Sequence, residues 1–263
     1  RAFDASGTPV WERTLPSRAR APLCSCGNAL VAFAAFGGAV WIIDRETGRV
    51  TAELASGTAD ERVSAPPVSA GPSHALAIYG RELCLVDAAS AAVRWRRRAG
   101  DFAPSEARFF PDCPDSLFVW GRTPAQGWRM EVLDLARGDT RWHRDFPGDM
   151  PVLDAVPARG DAIVLCGDTT RSMLALRHEA GETKELWRRR LYDSFDAGLP
   201  LLIAGGSVMH GDRETNRLLA VSLARGNIQT EGLSAVRRFL GGRRLRDYRA
   251  DREALYLLTE GTL

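Results

Sequence analysis

Lysine is almost missing from this chain: Lys184 stands alone among 35 basic residues. The bias reads as a GC-rich, bacterial coding preference with little functional content. A one-sided charge is missing too, since the formal net charge of +2 is too near balance to argue for nucleic acid on global grounds. No apolar run approaches the roughly 18 residues that a membrane-spanning helix needs. Cysteine is scarce and odd in number, Cys24, Cys26, Cys84, Cys113 and Cys166, with no disulfide-framework spacing. Cys84 and Cys166 lie inside apolar strand runs, where a buried thiol acts as a small hydrophobe. Unpaired cysteines favour an intracellular chain. The sequence also begins at Arg1 without Met, so a removed leader would allow a periplasmic or surface location.

The four histidines, His74, His143, His178 and His210, are isolated, with no spacing that suits a metal or a catalytic pair. His210 with Asp212 and Glu214 forms the only local cluster of possible ligands, and it reads as a solvated loop between strands. Cys24-Ser25-Cys26 has the look of half a metal site, but the second close Cys or His pair that would complete one is missing, so no metal is expected there. The GGSVMHG stretch lacks the strand–turn–helix context of a nucleophile elbow, and FGG and LGG lie between strands as turns rather than phosphate cradles. No catalytic residue, metal ligand or cofactor is expected.

What the chain does have is a repeat. An apolar strand, an Asp-like residue and a short turn closed by Gly return six times, usually followed by Trp. The turn-opening residues are Asp4, Asp44, Asp87, Asp134, Arg177 and Ser222, a period of 40 to 47 residues. Trp11, Trp95, Trp142 and Trp187 follow four of these turns. Asp opens the turn because its carboxylate accepts the turn's N–H groups, and Gly closes it by taking a positive φ at little cost. Trp then falls on an outer strand, where a large ring covers the gap to the next blade. The drift to Arg177 and Ser222 reads as decay of the repeat.

A second marker, an apolar strand ending in Gly, recurs at Gly37, Gly80, Gly121, Gly167, Gly211 and Gly261. Such continuous runs suit inner strands buried on both faces. A period of this size with several strands per copy predicts an all-β fold, a β-propeller of four-stranded blades. Gly261 has no Asp after it and Asp4 no Gly before it. Joined head to tail, the termini make one ordinary repeat, so six blades closed by strand sharing are expected, with residues 1–263 a single domain of a longer protein.

The stretches AFDASGTPVW, IIDRETG, LVDAASAAVRW and VLDLARGDTRW resemble the pyrroloquinoline-quinone-type propeller repeat, and the resemblance covers nearly the whole chain. That superfamily includes quinone-dependent alcohol dehydrogenases, an outer-membrane assembly lipoprotein and non-catalytic propellers of bacterial signalling proteins. The dehydrogenases it resembles have eight blades, a Ca²⁺ site and adjacent cysteines. This chain reads as six blades, with no Cys-Cys pair and no evident calcium group. The resemblance therefore implies a non-catalytic bacterial member.

Two kinds of basic cluster remain. Arg96–Arg98 and Arg188–Arg190 each follow a repeat Trp, and read as a solvated edge strand kept from aggregating by charge. The segment from Arg237 to Arg252 carries seven arginines against Asp247 and Asp251, a local +5. Arg237, Arg238, Arg243, Arg244, Arg246 and Arg249 are the candidate contacts for an acidic partner, a polyphosphate or an anionic surface. The functional expectation is a non-enzymatic scaffold or sensor propeller with a protein partner. The alternative is a quinoprotein-like propeller that binds a ligand or catalyses in its central channel.

Overall fold

The structure, a computed structural model, describes residues 2–3, 6–36, 38–55, 63–111, 113–158, 161–167, 172–179, 182–190, 202–204, 206–212, 217–227, 245–250 and 255–259. Every regular element among them is a β-strand. One compact unit spans residues 1–148. It opens with the hairpin β1 (Ala2–Phe3) and β2 (Pro9–Trp11). Three antiparallel four-stranded meanders follow. Sheet I holds β3 (Ala19–Cys26), β4 (Ala29–Ala34), β5 (Ala39–Asp44) and β6 (Val50–Ala55). Sheet II holds β7 (Val68–Ser69), β8 (His74–Tyr79), β9 (Glu82–Asp87) and β10 (Ala92–Arg98). Sheet III holds β11 (Ala103–Phe109), β12 (Ser116–Arg122), β13 (Trp128–Asp134) and β14 (Thr140–Phe146).

The second unit, residues 149–263, repeats the plan. Sheet IV is β15 (Val152–Ala158), β16 (Asp161–Gly167), β17 (Ser172–Glu179) and β18 (Glu182–Arg190). A three-stranded sheet follows, β19 (Leu202–Ala204), β20 (Ser207–Asp212) and β21 (Arg217–Ser222), and then the pair β22 (Leu245–Ala250) and β23 (Leu255–Thr259).

Burial follows the sequence pattern. The second and third strands are apolar without alternation because both of their faces are covered: Ala75–Tyr79 in β8 and Leu83–Val86 in β9 are all buried. One face of sheet II packs on sheet I through Ala75, Ala77, Tyr79, Cys84 and Val86. The other packs on sheet III through Leu76, Ile78, Leu83 and Leu85. Each fully buried aliphatic side chain contributes about 1.5–3 kcal/mol. The fourth strands β6 and β10 alternate between half-buried and exposed, so each is an edge with one face on a neighbour.

The fourth strands β6, β10, β14 and β18 each carry one extra residue against their partner, residue 51, 94, 141 or 186, and β2 of the opening hairpin does the same at residue 10. This bulge lies directly before the Trp position and re-aims the ring. The displaced side chain turns outward, which explains why Val10 and Leu186 are large apolar residues left exposed.

Two expectations need correction. Gly167 ends its strand as expected, but Gly121 and Gly211 each stand one residue before the strand end. At Gly121 the reason is close approach, because the Ala103 carbonyl oxygen occupies the place a Cβ would take. Ser222 is not decay: its Oγ accepts the Arg225 N–H (3.3 Å), doing for its turn what Asp does elsewhere. Gly37 and Gly261 lie outside the described residues.

Candidate functional site

The Asp turns join the third strand of each sheet to the fourth, as expected. Asp44 Oδ1 accepts the N–H groups of Glu46 (3.1 Å) and Thr47 (2.8 Å), and Asp134 Oδ1 those of Ala136 and Arg137 (both 3.0 Å). Asp87 binds Ala89 and Ser90 in the same way. The hydrogen bonds of Thr47 hold the Asp44 carboxyl below the ordinary carboxylate range, and those of Arg141 do the same for Asp134. Asp4 lies outside the described residues.

Three of the turns are gripped by a tryptophan from the strand pair or sheet that precedes theirs in the chain. Trp11 Nε1 donates to the Arg45 carbonyl (2.9 Å), Trp95 Nε1 to Leu135 (2.8 Å) and Trp187 Nε1 to Leu223 (2.7 Å). In all three the acceptor is the residue after the turn opener. The rings lie on the turn glycines Gly48, Gly138 and Gly226, where an added Cβ would collide with the indole. The glycine thus serves twice, in its positive φ (+68°, +78° and +65°) and in its missing side chain. Trp142, on the fourth strand of sheet III, is half-buried.

The WRRR strands take part in the same latch, which corrects the reading of both as merely solvated edges. Two residues past Trp95, Arg97 Nη1 donates to the Gly138 carbonyl (2.8 Å), and two past Trp187, Arg189 Nε donates to that of Gly226 (2.7 Å). Arg97 Nη2 also reaches the buried Glu131 Oε2 at 2.9 Å, which accepts Thr140 Oγ1 as well (3.2 Å). Arg96 turns to the opposite face and donates to the Ala55 carbonyl of sheet I. Alternation along the strand thus sends neighbouring guanidiniums to different sheets.

The cysteines fill a seam. Cys24, Cys26 and Cys84 belong to one apolar cluster between sheets I and II. Burial pushes their thiols up to about 12, about 11 and about 11, so none is poised as a nucleophile or ligand. Cys26 Sγ donates to the His74 carbonyl at 3.2 Å, and His74 Nε2 lies 3.9 Å from Asp87 Oδ2. Among the described residues no group of three metal-ligating side chains converges. Of the His210 cluster, Glu214 lies outside the described residues.

One open cleft of about 490 Å³ lies at the end of sheet III opposite its Asp turn. Its walls are the connection from β12 to β13, the end of β14 and Asp101 before β11. Arg129 holds Asp145 with two hydrogen bonds (Nε–Oδ1 2.6 Å, Nη2–Oδ2 2.9 Å) and Asp101 with Nη1. Those bonds raise the Arg129 guanidinium above its ordinary value and lower the Asp145 carboxyl. The Arg122 guanidinium sits 4.3 Å from the ring centre of Trp128, and Gln126 takes a positive φ of 64° at the tip of the connection. With its charges satisfied by one another, this cleft suits recognition better than proton transfer. Sequence reasoning missed it, because Asp101 and Asp145 lie 28 and 16 residues from Arg129.

Of the candidate docking arginines, Arg237, Arg238, Arg243 and Arg244 lie outside the described residues. Arg246 and Arg249 fall on β22. No helix among the described residues is long and apolar enough to cross a membrane.

Comparisons with known proteins agree with the repeat. Residues 1–107 match the family model described as outer membrane protein assembly factor BamB. No curated protein sequence matches the chain. Among solved structures it is similar to hydrazine synthase of Kuenenia stuttgartiensis, at 14% identity and a TM-score of 0.55 over 83% of this chain and 70% of that one. It is also similar to the β-propeller domain of Cps50 (Swd1) from Myceliophteria thermophila, at 12% identity and a TM-score of 0.58 over 81% of this chain and 68% of that one. A chain of a mitotic checkpoint complex matches at 12% identity and a TM-score of 0.54, over 86% of this chain and 66% of its own length. At such identities the likeness is one of fold. Residues 1–107 therefore carry the pyrroloquinoline-quinone-type repeat, and the chain has the all-β fold of the propellers it resembles.

Proposed function

We propose that the chain is a non-enzymatic β-propeller that serves as a protein-interaction scaffold or sensor domain in a bacterial protein. In this reading residues 1–263 form one domain of six blades, the last of them shared by β22–β23 and β1–β2. The observation that carries it is Trp11. Its indole and its bulge behave as those of a fourth strand, on a hairpin that pairs with no first or second strand among the described residues. The Leu255–Thr259 strand supplies the apolar run of a second strand, and no third or fourth strand pairs with it among the described residues. A closed propeller buries its edges and offers loops at both ends as a stable platform. The Arg237–Arg252 segment, with its local +5, is the proposed dock for an acidic partner.

The test is titration of the whole chain with a poly-glutamate peptide. The triple variant Arg243→Ser, Arg244→Ser and Arg246→Ser is expected to weaken binding by roughly tenfold or more and to flatten its salt dependence at unchanged melting temperature. Unaltered binding, or stoichiometric uptake of pyrroloquinoline quinone with dye-linked alcohol oxidation, overturns the reading. Closure has its own check. Deletion of residues 254–263 is expected to cause unfolding or aggregation, and a truncated chain with unchanged melting sinks the shared blade.

A further inference from the structure

The β10 edge stands apart from the other fourth strands. Arg94, Arg96 and Arg98 are exposed on it: Arg96 and Arg98 lie on the face turned to sheet I, about 6.6–6.8 Å apart along the strand, and Arg94 is the residue displaced by the bulge. Among the described residues none has a carboxylate partner: Arg94 and Arg98 make no ion pair or hydrogen bond there, and Arg96 reaches the Ala55 carbonyl and the buried Cys84 thiol. Glu82 is the cross-strand neighbour of Arg98 and still forms no ion pair with it. The other edges differ: β6 carries Glu53, Arg141 of β14 is bound to Asp134 (2.8 Å), and on β18 Lys184 and Arg188 face Glu182 and Glu185.

Three like charges in a row repel one another, at a cost the strand meets without internal compensation. The strand is also a sheet edge. β10 ends the order of sheet II, and among the described residues no strand pairs with its outer side. Past the bulge at Arg94, the stretch Trp95–Arg98 keeps regular register with β9. Trp95 and Arg97 hold the strand rigid from its other face. The edge is therefore straight, preorganised and basic on one side only.

We propose that the β10 edge takes an extended acidic segment of a partner protein as an added strand. Backbone hydrogen bonds to Trp95–Arg98 would set its register. Carboxylates at alternate positions would meet Arg94, Arg96 and Arg98, while the residues between them turn to the other face. A strand is favoured over a nucleic-acid chain because the arginine spacing is that of a paired strand and the unpaired edge supplies main-chain donors and acceptors. The inference deepens the interaction reading and rests on it, but it uses a surface distinct from the Arg237–Arg252 segment.

The test uses the whole chain and a fluorescein-labelled peptide of alternating Glu and Val. Three further probes are the same composition with its glutamates in a block, the alternating peptide N-methylated at every second amide, and a single-stranded oligonucleotide. The alternating peptide is expected to bind, and the blocked and methylated peptides to lose roughly tenfold or more. The triple variant Arg94→Ser, Arg96→Ser and Arg98→Ser should lose binding equally, and Arg→Lys at the same three positions should restore part of it. Melting of the serine variant is expected to be unchanged or raised. If that variant unfolds, the methylated peptide against the native chain decides alone. Equal binding of blocked, methylated and alternating peptides overturns the added strand, and tighter, arginine-dependent binding of the oligonucleotide reassigns the surface to polyanions. Loss of peptide binding only in the Arg243→Ser, Arg244→Ser, Arg246→Ser variant removes this inference and leaves the scaffold reading standing.

Discussion

Trp95 lays its indole on the bare Cα of Gly138, one sheet further along the chain, and donates its Nε1–H to the Leu135 carbonyl at 2.8 Å. The turn glycine is thus a contact surface as well as a backbone device. Gly138→Ala places a methyl 2.8 Å from the ring at a φ of +78° and is expected to destabilise by about 2–4 kcal/mol, strain and displaced indole together. Gly7→Ala has a φ of +83° with nothing within 4 Å, and should cost only the backbone strain, about 1 kcal/mol. Urea denaturation of the two variants separates the contributions, and equal losses would refute the contact.

The seam between sheets I and II lacks this latch. Ala52 stands where Trp is expected, and the turn it faces has Ala91 (φ 52°) in place of glycine, both packed in one apolar cluster. Ala91→Gly alone should stabilise by about 0.5–1 kcal/mol through relief of φ strain. Ala52→Trp alone should destabilise by crowding the Ala91 methyl, and the double variant should recover more than the sum, with a coupling of about 0.5–3 kcal/mol. Additive changes in a double-mutant cycle would show that the two positions do not meet.

Arg97 and Glu131 differ from the surface pairs of the same sheets. The Glu131 side chain is 7% exposed and that of Arg97 20%, so Arg97→Ala leaves a carboxylate with little access to water. A loss of about 2–4 kcal/mol is expected, short of the full value for a wholly buried pair. Asp139→Asn, which removes the exposed partner of Arg137, should change stability by less than about 1 kcal/mol. Thermal denaturation at high salt checks the contrast, because the Arg97 loss should persist there and the Asp139 effect should vanish.

His74 gives the fold an acid limit. Burial holds its imidazole below the ordinary 6.5, with the nearby Arg94 charge in the same direction and Asp87 opposing both. The unfolded chain therefore takes the proton first, so stability falls as pH drops through 6.5 toward the lower folded value. Asp145, held low by Arg129, and Asp134, held low by Arg141, act further down: their contribution is present above 3.8 and lost as pH falls through their depressed values. His74→Gln should flatten the denaturation midpoint between about pH 7 and about pH 5 and leave the steeper loss below it. A slope unchanged by the substitution would assign the titration elsewhere.

The strand plan was legible because its signals are local. Unbroken apolar runs such as Leu83–Val86 mark inner strands, and Asp44 and Asp134 announce their turns by side-chain chemistry that needs no distant partner. The role of Arg97 was not legible. Periodicity tells which face a residue shares but not what lies across from it, and its partners are 34 to 43 residues away. The bulges before Trp escaped notice for a related reason: one extra residue changes the register of a pair without changing the apolar pattern of either strand. The Arg129 cleft depends on the meeting of three separate segments, none of them distinctive in composition.

The peptide that follows three of the turn openers is held from two sides. The N–H of Leu135 goes to Asp115 within its own sheet, and its carbonyl receives Trp95 from the sheet before; Arg45 does the same with Asn28 and Trp11, and Leu223 with Gly206 and Trp187. That carbonyl is in place only once its own hairpin has closed, so an indole has nothing to grasp on an unformed neighbour. Docking at these three anchors then runs against the direction of synthesis: the strand that carries the indole waits for the next sheet to emerge and fold before it can seat. Where the anchor is absent, at Ala52 and Ala91, the waiting strand has only soft apolar contacts to find, and there the amide protons of β6 should exchange with solvent first.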